Sequence, residues 1–324
     1  MKTKNLKILI VGLGSIGRRH HKNLLALGFR DVWVYDADQK KIKNYELRIK
    51  YLGLPNLRKF DIVFVCTPNH LHIKHAISAA RAGCDLFIEK PLSHTLKGIN
   101  ELARIVRQKR LVNMVACNMR FHPVMQFIRK YLQSKKLGQI YSIYHEFGYD
   151  LASWSTTGRD YRKTYSASKK MGGGIRLDDI HEFDLLFWLN NFTPVKKSSI
   201  LFDKVSDLQI DTEDIAVGSF LFKNRVFGLV KADYLQRDYT RRCQVVGSRG
   251  TLEWDWNENT VWLRDKNGKR ALRKFGKYDK NLMYLDEVKY FMDCVREGRR
   301  TSNDIARAKL LLTHVIASGA KQSH

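Results

Sequence analysis

The chain has 324 residues, 44% of them hydrophobic, and only five prolines, which describes a globular protein of about two domains with a sizeable core. No run approaches the ~18 consecutive apolar residues of a membrane span, and the five scattered cysteines form no C-x-x-C pair, which excludes a membrane-spanning class and a disulfide scaffold and favours the cytoplasm. The net charge is +26, yet the basic residues are dispersed and no nucleic-acid-binding signature accompanies them, so a basic solvated surface is expected rather than a nucleic-acid partner.

Met1 to Lys7 lacks the apolar core of a signal peptide and runs into Ile8-Leu9-Ile10-Val11. Such an unbroken apolar run predicts a strand buried on both faces of a parallel sheet. Gly12-Leu13-Gly14-Ser15-Ile16-Gly17 follows at G-x-G-x-x-G spacing. The first glycine allows a tight turn, the second a close approach of backbone to a pyrophosphate, and the third close packing of helix on strand. The helix that starts here, capped by Gly28, aims free N–H groups and its positive dipole end at phosphates. A second strand, Val32 to Tyr35, ends in Asp36, 19 positions after Gly17. A carboxylate there can hold ribose hydroxyls. Glycines alone would fit any strand-to-helix turn; the full succession points to a dinucleotide. Asp36 favours NAD over NADP, while Lys40 and Lys41 soften the repulsion of a 2′-phosphate and leave NADP open.

A helix is expected over 39–51, then a turn at Gly53-Leu54-Pro55 and a strand over 61–66. A dinucleotide fold usually carries one more strand and helix in this stretch, so the sheet edge looks trimmed. Helices over 70–82, 95–110 and 123–133 and strands over 85–89 and 112–118 follow. Beyond residue 139 the pattern becomes strands over 140–148, 198–205, 215–222, 226–234, 242–246, 251–256 and 260–263, with short turns that predict an antiparallel meander. One helix over 178–190 interrupts them, and two more, over 284–296 and 305–320, close the chain. The expected fold class is α/β: a Rossmann dinucleotide-binding domain over 1–120, then an α+β domain over 121–324 on a mainly antiparallel open sheet.

Glu89-Lys90-Pro91 ends a strand at the carboxyl edge of the sheet, where ligands bind in open α/β folds. A Lys placed there suits proton transfer; a surface Lys before a helix would read the same. Gly172-Gly173-Gly174 permits close backbone approach and precedes Asp178 and His181, which stand three apart on one face of the expected helix. The carboxylate could orient the imidazole, although acids at a helix start also act as plain caps. His70, His72 and His75 flank a helix start with no acid or cysteine to complete a metal site, so no metal is expected.

Together these segments resemble the glucose–fructose oxidoreductase/inositol dehydrogenase family, often called Gfo/Idh/MocA. The resemblance rests on Gly12 to His20, Cys66-Thr67-Pro68-Asn69-His70, Glu89-Lys90-Pro91, Asn118 to Pro123, and Gly172 through His181. It implies an NAD(P)-dependent oxidoreductase acting on a secondary hydroxyl or ketone of a sugar or nucleotide sugar, and a homodimer or homotetramer. Lys90 would be the catalytic Lys before a cis peptide, and His181 would handle the hydroxyl proton with Asp178; their spacing leaves Asp179 as a second candidate to orient it. The implied cofactor contacts are Gly12, Gly14, Ser15, Ile16, Gly17 and Asp36, with Thr67, Pro68, Asn69, His72, Glu89, Lys90, Asn118 and Arg120. Substrate contacts would come from Lys90, Tyr161, Arg162, Tyr165, Arg176, Asp178 and His181. The spacing of the Gly172-to-His181 motif and the stretch Asp160 to Ser166 are similar to members that act in surface-polysaccharide and acidic-sugar biosynthesis. A dinucleotide-binding sensor or structural subunit without turnover is the alternative; it would need neither Lys90 nor the Asp178–His181 pair.

Overall fold

All four residues of β1 (Ile8–Val11) are buried, as the unbroken apolar run requires of a strand covered on both faces. The computed structural model describes residues 6–45, 50–51, 55–153 and 160–317. The chain divides into two units, one of Met1–Asn118 with Lys280–Leu310, the other of Met119–Asp279 with Leu311–His324. Residues 280–310, expected in the second domain, thus belong to the first unit.

In the first unit β1 is followed by α1 (Ser15–Ala26), β2 (Val32–Tyr35), α2 (Gln39–Lys43) and β3 (Lys50–Tyr51). Then come β4 (Ile62–Val65), α3 (His72–Ala82), β5 (Asp85–Ile88), α4 (Ile99–Lys109) and β6 (Asn113–Val115). The six strands are all parallel, in the order β3-β2-β1-β4-β5-β6. The order reverses between β1 and β4, the switch point at which such sheets bind ligands beyond their carboxyl ends. The edge strand that looked missing is present, but only two residues long. The helix expected over 39–51 stops at Lys43; residues 46–49 of that expectation, and Gly53 and Leu54 of the turn after it, lie outside the described residues.

The second unit opens with α5 (Pro123–Gln133), whose bounds match the sequence pattern because Pro123 pre-sets the first helical turn. β7 (Ile140–Asp150) leads to α6 (Ile175–Asp178) and α7 (His181–Leu189), every residue of which is buried. The single helix expected over 178–190 is therefore two, broken at Asp179. Seven strands follow: β8 (Val195–Asp203), β9 (Ile215–Phe222), β10 (Phe227–Asp233), β11 (Leu235–Gly247), β12 (Gly250–Asp255), β13 (Thr260–Asp265) and β14 (Gly268–Lys274). With β7 they make an eight-stranded sheet, β14-β13-β12-β11-β7-β10-β9-β8. It is antiparallel except where β10 runs parallel to β7, so the expected simple meander is interrupted at its centre. α7 packs on β7 and β10.

Two helices close the described chain, α8 (Asn281–Glu297) and α9 (Ile305–Ala317); residues 318–320 of the last expected helix lie outside the description. Phe291 of α8 sets its ring edge-on to Phe64 and Phe87, with centroids 5.8 and 5.4 Å away. A helix near the C-terminus thus completes the core of the N-terminal sheet. Among the described residues no helix is long and apolar enough to cross a membrane.

Candidate active site

The glycine turn lies at the carboxyl ends of the first unit's strands. A Cβ on Gly17 would run into the Gly12 carbonyl oxygen, so this glycine is fixed by helix–strand packing. One on Gly14 would meet nothing within 4 Å, so no protein packing fills the face of the turn where the fingerprint requires backbone to approach a ligand. Gly14 is also the N-cap of α1, with no side-chain capping bond and no acid in the first turn, which leaves the dipole end to an anion. Asp36 accepts the Leu13 N–H at 2.7 Å and the Asp38 N–H at 2.9 Å, which fastens the second strand to the turn. Lys41 Nζ stands 3.5 Å from the same carboxylate, the softening expected there. Arg18, which sequence reasoning passed over, bonds the carbonyls of Leu13 and Lys41, both at 3.3 Å. Thr67 Oγ1 is buried with no hydrogen-bond partner among the described residues. An open glycine, an uncapped helix end and an orphaned hydroxyl fit a dinucleotide.

Lys90 follows β5 at the same edge and precedes a cis peptide to Pro91, as implied above. Glu89 is held between His20 Nε2, 2.6 Å from one carboxylate oxygen, and the Lys90 N–H, 3.2 Å from the other. Asn69 and Asn118 are both mostly buried. His72, expected at the cofactor, is 1% exposed and sets Nδ1 2.7 Å from the Pro91 carbonyl oxygen and Nε2 2.7 Å from that of Thr67. Burial lowers its pKa. Both ring nitrogens thus face backbone carbonyls, one of which accepts the single N–H of the neutral ring, and the ring fills the space between the Thr67 loop and the Lys90-Pro91 corner.

In the second unit the triple glycine folds residues 165–174 back on themselves: a Cβ on Gly173 would strike the carbonyl oxygens of Tyr165 and Ser166. That fold brings the hydroxyls of Tyr165 and Ser166 to Asp178, the serine at 2.7 Å, and Tyr234 donates to it at 3.0 Å. Burial, and after it the charge of Asp178, raises all three hydroxyls of Tyr149, Tyr165 and Tyr234 well above their ordinary pKa. They therefore remain donors. Tyr165 still presents 39% of its surface. Asp179, the other candidate to orient His181, receives Arg241 Nη2 at 3.0 Å. His181 is the first residue of α7 and 9% exposed.

Other expected contacts are engaged elsewhere. Arg120 makes a two-pronged pair with Asp184, both bonds 2.6 Å, and is 2% exposed beside Phe192 and Trp188; its guanidinium is built into the second unit's core, not offered to a cofactor. Arg176 lies 3.7 Å over the Phe202 ring, bonds the Val315 carbonyl and faces Glu213 at 3.4 Å. Arg162 is exposed and paired with Asp160 and Gln209, and the Tyr161 hydroxyl accepts the Gln209 N–H. Arg159 lies outside the described residues. Ser166 sat unremarked inside the segment already singled out, whereas Tyr234, 56 residues beyond Asp178, carries no local signal.

Two family models match the chain. Residues 6–117 match "Oxidoreductase family, NAD-binding Rossmann fold", and residues 125–253 match the GFO/IDH/MocA C-terminal domain. The chain belongs to the Gfo/Idh/MocA oxidoreductase family. It is an NAD(P)-dependent oxidoreductase with an NAD-binding Rossmann domain. Over 98% of its length it is 26% identical to the myo-inositol 2-dehydrogenase of Thermotoga maritima, covering 97% of that protein. Over 40% of its length it is 34% identical to the levoglucosan dehydrogenase of Pseudarthrobacter phenanthrenivorans, covering 32% of it. A solved levoglucosan dehydrogenase in complex with NADH superposes with TM-score 0.83 at 20% identity, over 98% of this chain and 97% of that one. A UDP-N-acetylglucosamine 3-dehydrogenase from Acidithiobacillus ferrooxidans superposes at 0.78 and 20% identity, over 97% and 96%.

Proposed function

We propose that this enzyme moves a hydride between nicotinamide and a secondary hydroxyl or ketone of a sugar or nucleotide sugar. The observation that carries the proposal is Asp178, whose carboxylate is gripped by three hydroxyls three residues before His181. A carboxylate held in place three residues before a histidine at a helix start suits a proton-handling set. NAD, when bound, supplies the hydride acceptor and donor. The glycine turn, the α1 N-terminus, Asp36, Thr67 and Asn69 would hold it, with Asn118 as a further contact. In the oxidative direction His181 accepts the hydroxyl proton; Lys90 is the lysine to which the family resemblance assigns a share in that proton transfer. In reduction they return the proton. Asp178, held by Tyr165, Ser166 and Tyr234, supplies the carboxylate of the set.

Ring-hydroxyl substrates are supported by the names of relatives: myo-inositol 2-dehydrogenase, D-glucoside 3-dehydrogenase and UDP-N-acetylglucosamine 3-dehydrogenase. A homo-oligomer is supported by Leu201, Val217 and Phe227, exposed by 60%, 41% and 43% on one face of β8, β9 and β10. A cytoplasmic setting is supported by five cysteines that are all buried and outside any disulfide. The test is a screen of the purified protein with NAD and with NADP against inositols, anhydrosugars, glucosides and UDP-N-acetylglucosamine, read by nicotinamide absorbance. Lys90→Met and His181→Ala should lower turnover of the substrate found by about 10²-fold or more, with NADH affinity near wild type. Normal turnover by both variants refutes the assignment.

A further inference from the structure

We propose that Arg241 is the positioning residue for His181, a role that rests on His181 handling the proton as argued above. The sequence pattern would let an unbroken helix aim His181, with Asp178 one turn earlier on the same face. The chain does otherwise. α6 ends at Asp178, Asp179 leaves helical geometry at φ −109° and ψ 47°, and α7 begins at His181 with no side-chain cap. Whatever holds the residues beside this break therefore bears on the direction of His181.

Arg241 holds both of them. Its Nη2 donates to Asp179 Oδ1 at 3.0 Å, and its Nε stands 2.9 Å from Glu182 Oε1. One planar guanidinium thus spans the break, hydrogen-bonded to the residue two before His181 and ion-paired by proximity, without a hydrogen bond, to the residue one after it. The guanidinium is fixed in turn. Arg241 and Phe147 are direct cross-strand partners, and the guanidinium lies 4.2 Å over the Phe147 ring. The second oxygen of Glu182 faces His145 Nδ1 at 3.2 Å, and His145 Nε2 lies 3.8 Å from Cys243 Sγ, its own cross-strand partner. Arg241 is 6% exposed, and Glu182, His145 and Cys243 are 0%, 0% and 2% exposed.

A buried ion cluster of this kind contributes little net stability compared with apolar residues of the same volume; its value is geometric. Here that geometry is one hinge of backbone immediately before the proton-handling imidazole. Lys in place of Arg would offer a single charge without the fork needed to hold two carboxylates at once.

The test uses the full-length protein and the variants Arg241→Met and Arg241→Lys. Thermal unfolding shows whether each folds, and NADH fluorescence reads cofactor affinity. Histidine-labelled NMR follows the His181 ring resonance, assigned with His181→Asn. The expected result for a folded Arg241→Met is unchanged NADH affinity, a displaced or broadened His181 resonance, and a fall of about 10²-fold in kcat with KM changed only slightly, the scale of a reacting group misplaced by about 1 Å. Arg241→Lys should recover part of that loss, and if Arg241→Met does not fold, Arg241→Lys carries the same readouts. A His181 resonance and kcat both at wild-type values in a folded variant would overturn the inference. A displaced resonance in a protein whose His181→Ala form turns over normally would instead sustain the clamp and overturn the catalytic reading of His181.

Discussion

His20 Nε2 lies 2.6 Å from Oε1 of Glu89, joining the first helix after the glycine turn to the residue before Lys90. The pair sits among the rings of Phe64, Phe87 and Tyr284, so neither group has water as a ready substitute partner. Glu89→Leu should deprive both His20 and the Lys90 N–H of an acceptor and lower the unfolding free energy by about 1–3 kcal/mol. Glu89→Gln keeps one acceptor oxygen and should lose less. Urea denaturation of the two variants checks the order; equal losses would mean that charge, not hydrogen bonding, holds the pair.

Local chemistry made much of this legible. The strand, glycine turn, helix and acid from Ile8 to Asp36 follow rules that act within a few residues, and α5 announces itself through Pro123. What stayed hidden depends on partners far along the chain. Arg120 looked like a ligand contact because its pairing with Asp184, 64 residues away, has no local mark. The break at Asp179 was invisible because the apolar run that follows reads as one buried helix. β14 was missed because Gly268-Lys269-Arg270-Ala271-Leu272-Arg273-Lys274 shows no apolar alternation; it is a largely exposed edge strand whose cations discourage pairing with another chain. The parallel pairing of β7 with β10 is a matter of topology, which turn residues do not encode.

Asp36 has two tasks, and they predict different losses. Its carboxylate should hold ribose hydroxyls of NAD, and it accepts the Leu13 and Asp38 N–H groups. Asp36→Ala should weaken NAD more than NADP, since the alanine also removes the charge that opposes a 2′-phosphate beside Lys41 and Arg18. Calorimetry with both cofactors measures this directly. An equal loss for both would leave Asp36 only the backbone task.

Asp85 should make the protein less stable as the pH rises through the weakly acidic range. Burial first, and then the neighbouring charge of Asp61, raises its pKa from 3.8 to about 6, against the pull of the Val112 N–H bond. The folded state thus holds this proton more tightly than the unfolded chain. Stability is full below the unfolded value and is lost as the pH passes through the folded one. Asp85→Asn keeps an oxygen for Val112 and removes the ionisation. It should match wild type at pH ~4 and exceed it by about 1–2 kcal/mol at pH ~7. Denaturation midpoints at the two pH values decide; a constant difference between the proteins would show that Asp85 does not titrate in this window.

The segment before the triple glycine bears on substrate charge. Tyr165 and Ser166 both donate to Asp178, so Arg162 and Lys163 lie within a few residues of a proposed catalytic group. Arg162 is exposed, and its pairing with Asp160 at the surface is weak enough to yield to a better anion. The hypothesis is that a phosphate or carboxylate of the substrate takes charge-assisted bonds from these cations while a tyrosine packs on a ring. Arg162→Gln combined with Lys163→Gln should then raise KM for a nucleotide sugar and flatten its dependence on ionic strength, with NAD affinity unchanged. An uncharged sugar turned over as efficiently by the variant as by the wild type, alongside no effect on the nucleotide sugar, would show that the segment is only a basic surface loop.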